Sequence, residues 1–371
     1  MNNVQILVTG SRGFIGKNLV TELSSCNSYE IDTYDRGEDF SRLEEKIKKA
    51  EVIFHLAGEN RPTHDADYEI GNHELTKKIC DLVQIFNKKI SIVFTSSTQA
   101  TEDNLYGKSK LAAEHSLIEL SKKTGCQVTI FRLPGVFGKW SKPNYNSVVA
   151  TFCFNIINNL QIQINEPNKI IPLVYIDDVI KSFTNFLKSS KKGISWASVE
   201  PVYSISLQNL ANQISRFRDS RKNLITEKVG SDLTRALYAT YLSFYKPSQF
   251  TYEIPHFPDE RGVFAEVLKT HDSGQFSFFT TLPGITRGQH FHHSKSEKFI
   301  IIKGKARFRF RHLITNEKHE IFTSSNKLEI VETIPGWVHD ITNIGENEMI
   351  AILWANEIFD RNDPDTISSE V

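Results

Sequence analysis

Two domains of unlike class are predicted from this sequence: an α/β domain on a doubly wound parallel sheet, followed by an all-β barrel or jelly roll. Three observations carry the prediction. The run TGSRGFIG (Thr9–Gly16) ends an apolar strand pattern and opens a helical one. From residue 4 to about 190, apolar β-branched runs alternate with helical stretches, as in a parallel sheet covered on both faces. From Gly262 to Asn356, short strands and turns follow without helical periodicity.

In chain order, Val4–Thr9, Glu51–Leu56, Ser91–Ser96 and Val128–Arg132 are continuous apolar runs expected as buried parallel strands. Phe14–Leu23, Glu69–Phe86 and Ser109–Thr124 are the helices expected between them, and Ser204–Phe217 is a further helix. The stretch SFYKPSQFTYEIPHFP (Ser243–Pro258) holds three prolines and stops the helical pattern. A boundary near residue 247 therefore separates an α/β domain, 1–246, from an all-β domain, 247–371. In the latter, Gln275–Thr281, Lys298–Ile302, Ala306–His312, Lys327–Thr333 and Met349–Trp354 are the expected strands, with turns at Lys303–Gly304 and Gly345–Asn347.

Lys+Arg and Asp+Glu both number 44, which gives no support for a nucleic-acid groove or an anionic membrane surface. No apolar run approaches the ~20 residues of a membrane span. The opening MNNVQILVTG enters a strand without a basic leader. Cys26, Cys80, Cys126 and Cys153 are scattered singly and are expected as reduced thiols of a cytoplasmic protein.

Gly10, Gly13 and Gly16 give the first motif a G-x-x-G-x-x-G spacing. Glycine lets the backbone turn tightly and approach a pyrophosphate held at the helix N-terminus, where Phe14 and Ile15 begin the helix. Asp35 and Arg36 stand about 20 residues beyond, where a carboxylate would bond the ribose 2′-hydroxyl of NAD and an arginine would pair with the 2′-phosphate of NADP. With Arg12 inside the loop, two cations outweigh one carboxylate, which favours NADPH. In FHLAG, Leu56, Ala57 and Gly58 give the next strand a small-residue mouth beneath the cofactor.

Tyr106 and Lys110, in YGKSK, are spaced i, i+4 and face one side of a helix. The ammonium and a cofactor cation are expected to lower the phenol from its ordinary value near ~10. Tyr106 can then pass a proton to a carbonyl oxygen as hydride arrives from the nicotinamide. Ser97, closing FTSS, is placed to hold that oxygen.

On these motifs, with Asn72 early in its helix, FRLPGVFG and VYIDDV, residues 1–190 resemble the extended short-chain dehydrogenases/reductases, in the branch that handles nucleotide sugars. The resemblance implies a Rossmann fold, a Ser97/Tyr106/Lys110 triad and a UDP- or dTDP-sugar substrate. Arg132, Asn144, Tyr145 and Asn146 would lie towards that substrate. Arg61, in GENRP, replaces the apolar follow-on usual for that strand and would also reach it. Asp177 and Asp178 are read as helix-capping carboxylates.

In the second domain, His290 and His292 alternate on an expected strand, so both rings point to one face, and His293 to the other. Glu297 follows, and His339 arrives from a distant strand. Three imidazoles and one carboxylate suit Zn, Mn, Fe or Ni. Zinc is the first choice, because redox chemistry already belongs to the other domain. The spacing Gly284, His290, His292, Glu297, Gly304 resembles the first cupin motif, and PGWVHDITN (Pro335–Asn343) the second, with Pro335–Gly336 in place of P-x-G.

DERGVFAEV (Asp259–Val267) and GITRGQH (Gly284–His290) resemble the nucleotide-sugar 3,5-epimerases, which implies proton removal beside a ketone. That likeness puts the base at His290, but a ring bound to metal cannot also abstract a proton. Either another group serves as base, with His293, His312 and Lys298 open as candidates, or the metal is displaced during turnover, or it is structural. Taken whole, the chain resembles bacterial capsule and O-antigen enzymes that join such a reductase to a C-terminal cupin. PNYNSVVATFC (Pro143–Cys153), ATYLSF (Ala239–Phe244) and DPDT (Asp363–Thr366) support this. The family implies a UDP-4-keto-6-deoxy-HexNAc, epimerised at C3 by the cupin and reduced at C4 with NADPH to UDP-2-acetamido-2,6-dideoxy-L-talose, on the route to UDP-N-acetyl-L-fucosamine. It also implies a homodimer. A cupin serving only dimerisation or stability is the alternative.

Overall fold

The computed structural model describes residues 3–187, 193–362 and 364–371; Asp363, of the DPDT run, lies outside them. The chain divides into two compact units, Met1–Ile214 with Ala236–Phe244, and Ser215–Arg235 with Tyr245–Val371.

The strands of the first unit are β1 (Val4–Thr9), β2 (Tyr29–Tyr34), β3 (Val52–His55), β4 (Ser91–Ser97), β5 (Val128–Leu133), β6 (Gly135–Phe137), β7 (Ile170–Tyr175), β8 (Ile194–Ala197) and β9 (Tyr203–Ser206). Six of them form one parallel sheet in the order β2-β1-β3-β4-β5-β8. The helices are α1 (Phe14–Ser24), α2 (Phe40–Lys49), α3 (Ala66–Tyr68), α4 (Leu75–Ile85), α5 (Leu105–Thr124), α6 (Val148–Ile157), α7 (Ile176–Phe186), α8 (Leu207–Asn223) and α9 (Asp232–Leu242); α8 passes into the second unit at Ser215.

Leu7, Ile53, Ile92, Phe94 and Ile130 of the sheet meet Leu43 and Ile47 of α2, Ile79 and Val83 of α4, and Ala113 and Leu117 of α5 in one core. Strands covered on both faces need apolar residues at consecutive positions, which is why β3 reads VIFH and is buried throughout. The winding reverses at β1, which lies between β2 and β3. Crevices for ligands open at the carboxyl ends of strands around such a switch point.

Three expected helices differ in detail. α5 starts at Leu105 rather than Ser109, because Asn104 caps it by accepting the Gly107 N–H at 2.8 Å. The stretch expected as Glu69–Phe86 begins at Ala66 and passes through a π-helical turn, Glu69–Glu74, before α4. Ser204–Phe217 is strand up to Ser206, where its alternating YSIS pairs with β7 at Ile171↔Ile205, and helix from Leu207.

The second unit holds β10 (His256–Asp259), β11 (Gly262–Thr270), β12 (Gly274–Thr281), β13 (Thr286–Phe291), β14 (Glu297–Lys303), β15 (Lys305–His312), β16 (Lys318–Ser324), β17 (Val331–Thr333), β18 (Trp337–Asn343), β19 (Met349–Ala355) and β20 (Ile367–Ser368). They form two antiparallel sheets, β10-β11-β12-β19-β14-β17 and β16-β15-β18-β13-β20. Phe279, Phe299, Ile301, Phe308, Phe310, Ile341 and Met349 fill the space between them. The strand expected at Lys327–Thr333 shortens to β17, since pairing with β14 begins at Val331↔Phe299 and Leu328 and Ile330 are exposed. Ser215–Arg235 joins this unit through an Ile225↔Lys269 bridge.

Candidate active site and candidate metal centre

The glycine loop leaves the end of β1 and is tight enough to need its glycines. Gly10 has φ +74°, and a Cβ there would lie 2.6 Å from the Ala57 nitrogen. A Cβ on Gly16 would lie 2.1 Å from the Gly10 carbonyl oxygen. Gly13 caps α1 without a side chain, so the first-turn N–H groups are open to an anion. They border a cavity of about 540 Å³ that is also lined by Phe14, Ile15, Leu56, Gly58, Ser97, Tyr106 and Lys110.

Asp35 is buried and turned back onto this loop. Its carboxylate accepts the Ser11 hydroxyl and, at 3.0 Å, the Arg12 N–H. The Arg12 guanidinium stands 3.8 Å from it, and Arg36 pairs with Glu59. Asp35 therefore braces the glycine loop, while both guanidiniums remain about three-quarters exposed (77% and 76%) beside it.

α5 carries Tyr106 in its first turn and Lys110 one turn later. Lys110 is buried. Its ammonium donates to the Thr95 carbonyl at 3.1 Å and passes over the Phe94 ring. Gly58 leaves room for it, since a Cβ there would be 2.9 Å from Lys110 Nζ. Burial pulls the Lys110 pKa down to about 8, against the opposing pull of Glu114. For Tyr106 the protein's own groups act against the expected lowering: burial raises the phenol, and a hydrogen bond with Ser97 only partly offsets this. Lys110, itself desolvated, does not reverse the balance.

Beside Tyr106 lies a second cavity, about 580 Å³, lined by Asn60, Arg61, Asp65, Tyr68, Gln99, Asn104, Leu105 and Asn146. Arg61 and Asn146 line it as substrate-side residues would, and Tyr145 and Asn146 line the first cavity. Arg132 and Asn144 line neither. Arg132 makes a bidentate pair with buried Glu114 at 2.9 and 2.6 Å and lies over Trp196. Asn144 is exposed, with its N–H donating to Thr151. Asp177 pairs with Lys139 in the first turn of α7.

Asn60, Gln99 and His55 were not singled out from sequence. The GENRP run that drew attention to Arg61 also holds Asn60, and FHLAG holds His55. His55 is buried between Thr9 Oγ1 (2.7 Å) and Thr76 Oγ1 (2.8 Å), and burial lowers its pKa to about 3, so it stays neutral. It ties the end of β1 to α4. Asn72 bonds both backbone groups of Glu59 and the Ser109 hydroxyl, all at 3.0 Å, which fixes the strand mouth against α5.

In the second unit, the ligand atoms of His290, His292, Glu297 and His339 all lie within 4.8 Å of one another. His290 and His339 are cross-strand partners of β13 and β18. A bulge between Gly288 and His290, with both Gly288 and Gln289 at positive φ, turns His290 inward. His292 lies just past the end of β13. Its Nε2 is 3.2 Å from Glu297 Oε2, and His339 Nε2 is 3.4 Å from the same oxygen. His290 Nε2 is buried and, among the described residues, has no hydrogen-bond partner.

A buried imidazole nitrogen without a partner, facing two more rings and a carboxylate, fits a cation rather than a hydrogen-bonded core. Burial alone would raise the Glu297 pKa, but the His292 and His339 rings beside its carboxylate hold it well below the carboxylate range. Burial, and then His339, lower His290 to about 4. Neutral imidazole and ionised carboxylate are the forms a metal takes. The three base candidates lie apart from this group: Lys298 pairs with Glu332, His312 packs on Trp337, and His293 is exposed against Phe291.

A tight glycine loop at a switch point and a Tyr–Lys pair at its mouth mark the first unit as a nicotinamide-binding Rossmann domain of the short-chain type. The chain belongs to the NAD dependent epimerase/dehydratase family, whose model matches residues 6–197; residues 257–367 match the polysaccharide biosynthesis C-terminal domain. It is 52% identical over 368 residues to the UDP-2-acetamido-2,6-beta-L-arabino-hexul-4-ose reductase of Pseudomonas aeruginosa, covering 99% of each chain. Its structure is similar to that of the capsular polysaccharide assembling protein CapF from Staphylococcus aureus, with TM-score 0.91 and 40% identity over 99% of this chain and 100% of that one. UDP-glucuronic acid 4-epimerase from Bacillus cereus, 17% identical over 64% of this chain and 98% of its own with TM-score 0.55, shares the fold alone.

Proposed function

We propose that the protein is a cytoplasmic, homodimeric, NADPH-dependent reductase of a UDP-4-keto-6-deoxy-HexNAc that also epimerises this sugar at C3. Its product is UDP-2-acetamido-2,6-dideoxy-L-talose, a step towards UDP-N-acetyl-L-fucosamine for capsule or O-antigen. Residues 1–246 serve reduction and 247–371 serve epimerisation. The observation that carries this is the full-length 52% identity to a reductase whose name gives its own substrate as a hexul-4-ose, a sugar with a C4 ketone. The exposed Arg12 and Arg36 support NADPH over NADH.

The nicotinamide, when bound, supplies hydride to the carbonyl carbon. Tyr106 gives its phenolic proton to the carbonyl oxygen, and Ser97 orients that oxygen. The Lys110 charge favours the phenolate left behind. Asn60, Gln99 and Asn146 can bond sugar hydroxyls and the acetamido group, and Arg61 can meet a phosphate. In the second unit, His290, His292, Glu297 and His339 would hold zinc or another divalent metal, which would polarise a keto oxygen and so acidify C3–H.

The separation of His293, His312 and Lys298 from the four-residue cluster favours one second reading, a cupin that binds metal without turnover. Ser215–Arg235 groups with the all-β unit, so a cut at residue 247 would strip that segment of its strand partner. Point variants of the full chain are the better test. NMR of the product made from the 4-keto sugar with NADPH in deuterated water reads both reactions. Hydride at C4 with deuterium at C3 is expected. Deuterium at C3 that persists in His339→Ala would assign epimerisation elsewhere.

A further inference from the structure

The segment Pro364–Glu370 is laid against the loop that carries His292. The Asp365 carboxylate accepts three successive backbone N–H groups, those of His293 (2.9 Å), Ser294 (2.9 Å) and Lys295 (2.8 Å), and also the Ser294 hydroxyl (3.0 Å). The carbonyl of the same residue stands 2.6 Å from His292 Nδ1. Lys295, buried, donates to the Pro364 carbonyl (2.5 Å) and to Thr366 Oγ1 (3.0 Å), which closes the contact from the other side. Beyond it, β20 pairs with β13 at His290↔Ser368 and Phe291↔Ile367, and the Ser369 N–H donates to Gln289. Asp365 sits at φ +36°, a backbone region where aspartate is tolerated better than most residues.

We propose that Asp365 is a positioning residue for the metal centre, holding His292 so that Nε2 faces Glu297 and the cation. The inference rests on the metal-binding reading above. A free imidazole exchanges between two tautomers and rotates about its side-chain bonds. A carbonyl 2.6 Å from Nδ1 makes that nitrogen the donor and leaves the Nε2 lone pair for the metal. The side chain of Asp365 serves the same end. By gathering the N–H groups of residues 293–295, it fixes the backbone directly after His292, and with it the distance between ring and carbonyl. One residue thus sets both the ring's tautomer and the loop's shape. A strap that merely tied down the chain would need neither the contact to a metal ligand nor the carboxylate against that ligand's own loop.

The test uses the full-length chain, stripped of metal and titrated with Co²⁺ against a chelator. It compares wild type with Asp365→Ala and Asp365→Asn. Both variants are expected to bind Co²⁺ about 10–100-fold more weakly, with a changed visible absorption band, as for other lost outer partners of a ligating histidine. Their affinity for NADPH should be unchanged. Variants that bind Co²⁺ with wild-type affinity and spectrum overturn the proposal while leaving the metal reading intact. Wild type that takes up no Co²⁺ overturns the metal reading, and the clamp with it. If Asp365→Ala does not fold, Asp365→Asn decides, because it keeps one acceptor oxygen for the loop.

Discussion

The side-chain amide of Asn60 donates to the phenolic oxygen of Tyr106 at 3.4 Å, and Tyr68 in turn donates to the Asn60 backbone carbonyl at 3.1 Å. A donor at that oxygen favours the phenolate over the phenol. Asn60→Ala should lower kcat for NADPH oxidation by about 10-fold, less than the roughly 10²–10³-fold of a well-placed donor because the contact is long. The alkaline limb of the kcat–pH profile should move upward. An unchanged profile would reduce Asn60 to a wall of the cavity.

Lys110 gives a prediction with opposite signs for activity and stability. Its folded pKa, about 8, lies below its ordinary 10.5, so between these values the unfolded chain binds more protons than the folded one. Stability from this group therefore rises with pH across that window, by up to about 3 kcal/mol. Lys110→Met should remove this rise, seen as the difference between wild-type and variant urea midpoints at pH 8 and pH 10, while cutting reduction about 10²–10⁴-fold.

Arg12 and Arg36 test the proposed preference for NADPH. Each alanine variant should raise KM for NADPH about 10-fold or more and leave KM for NADH nearly unchanged, because only NADPH carries the 2′-phosphate that two exposed guanidiniums can meet. Equal losses with both cofactors would point instead to collapse of the glycine loop that Asp35 braces.

His55 should make the first unit acid-sensitive. Its folded pKa of about 3 lies below its ordinary 6.5, so the unfolded chain binds the extra proton in between. The stability it contributes is present above pH 6.5 and is lost as pH falls towards 3, by about 5 kcal/mol if fully expressed. His55→Gln should flatten the fall in urea stability between pH 6.5 and pH 4.5. A slope equal to wild type would assign acid sensitivity to other groups.

Removing one of the four proposed metal ligands is a test of whether the two proposed reactions are separate. His339→Ala should lose bound zinc, measured by elemental analysis, and lose deuterium entry at C3. It should still reduce a sugar that already has the C3 configuration of the product. Loss of both activities together would make the metal a support for the whole chain.

Much of the site was legible because it rests on local backbone geometry. A glycine run between strand and helix and a Tyr–Lys pair one turn apart are local spacings, and the sequence states them directly. The extent of the parallel core followed from continuous apolar runs, as both faces of the sheet are covered. Strand ends and the helix of residues 204–206 were less legible, because pairing partners decide them. YSIS is a strand only because β7 lies beside it.

What only the tertiary structure decided is where long side chains go and what they meet. Arg132 could face substrate or core, and buried Glu114 takes it. Asp35 could face a ribose, and the Ser11 and Arg12 donors turn it onto its own loop. Asp365 stands 73 residues from His292 in the chain, yet supplies its hydrogen-bond acceptor. A sequence determines which residue types can do the chemistry and where an element presents them. The choice among competing partners is made by desolvation and charge between segments distant along the chain, and these exist only once the sheets have closed.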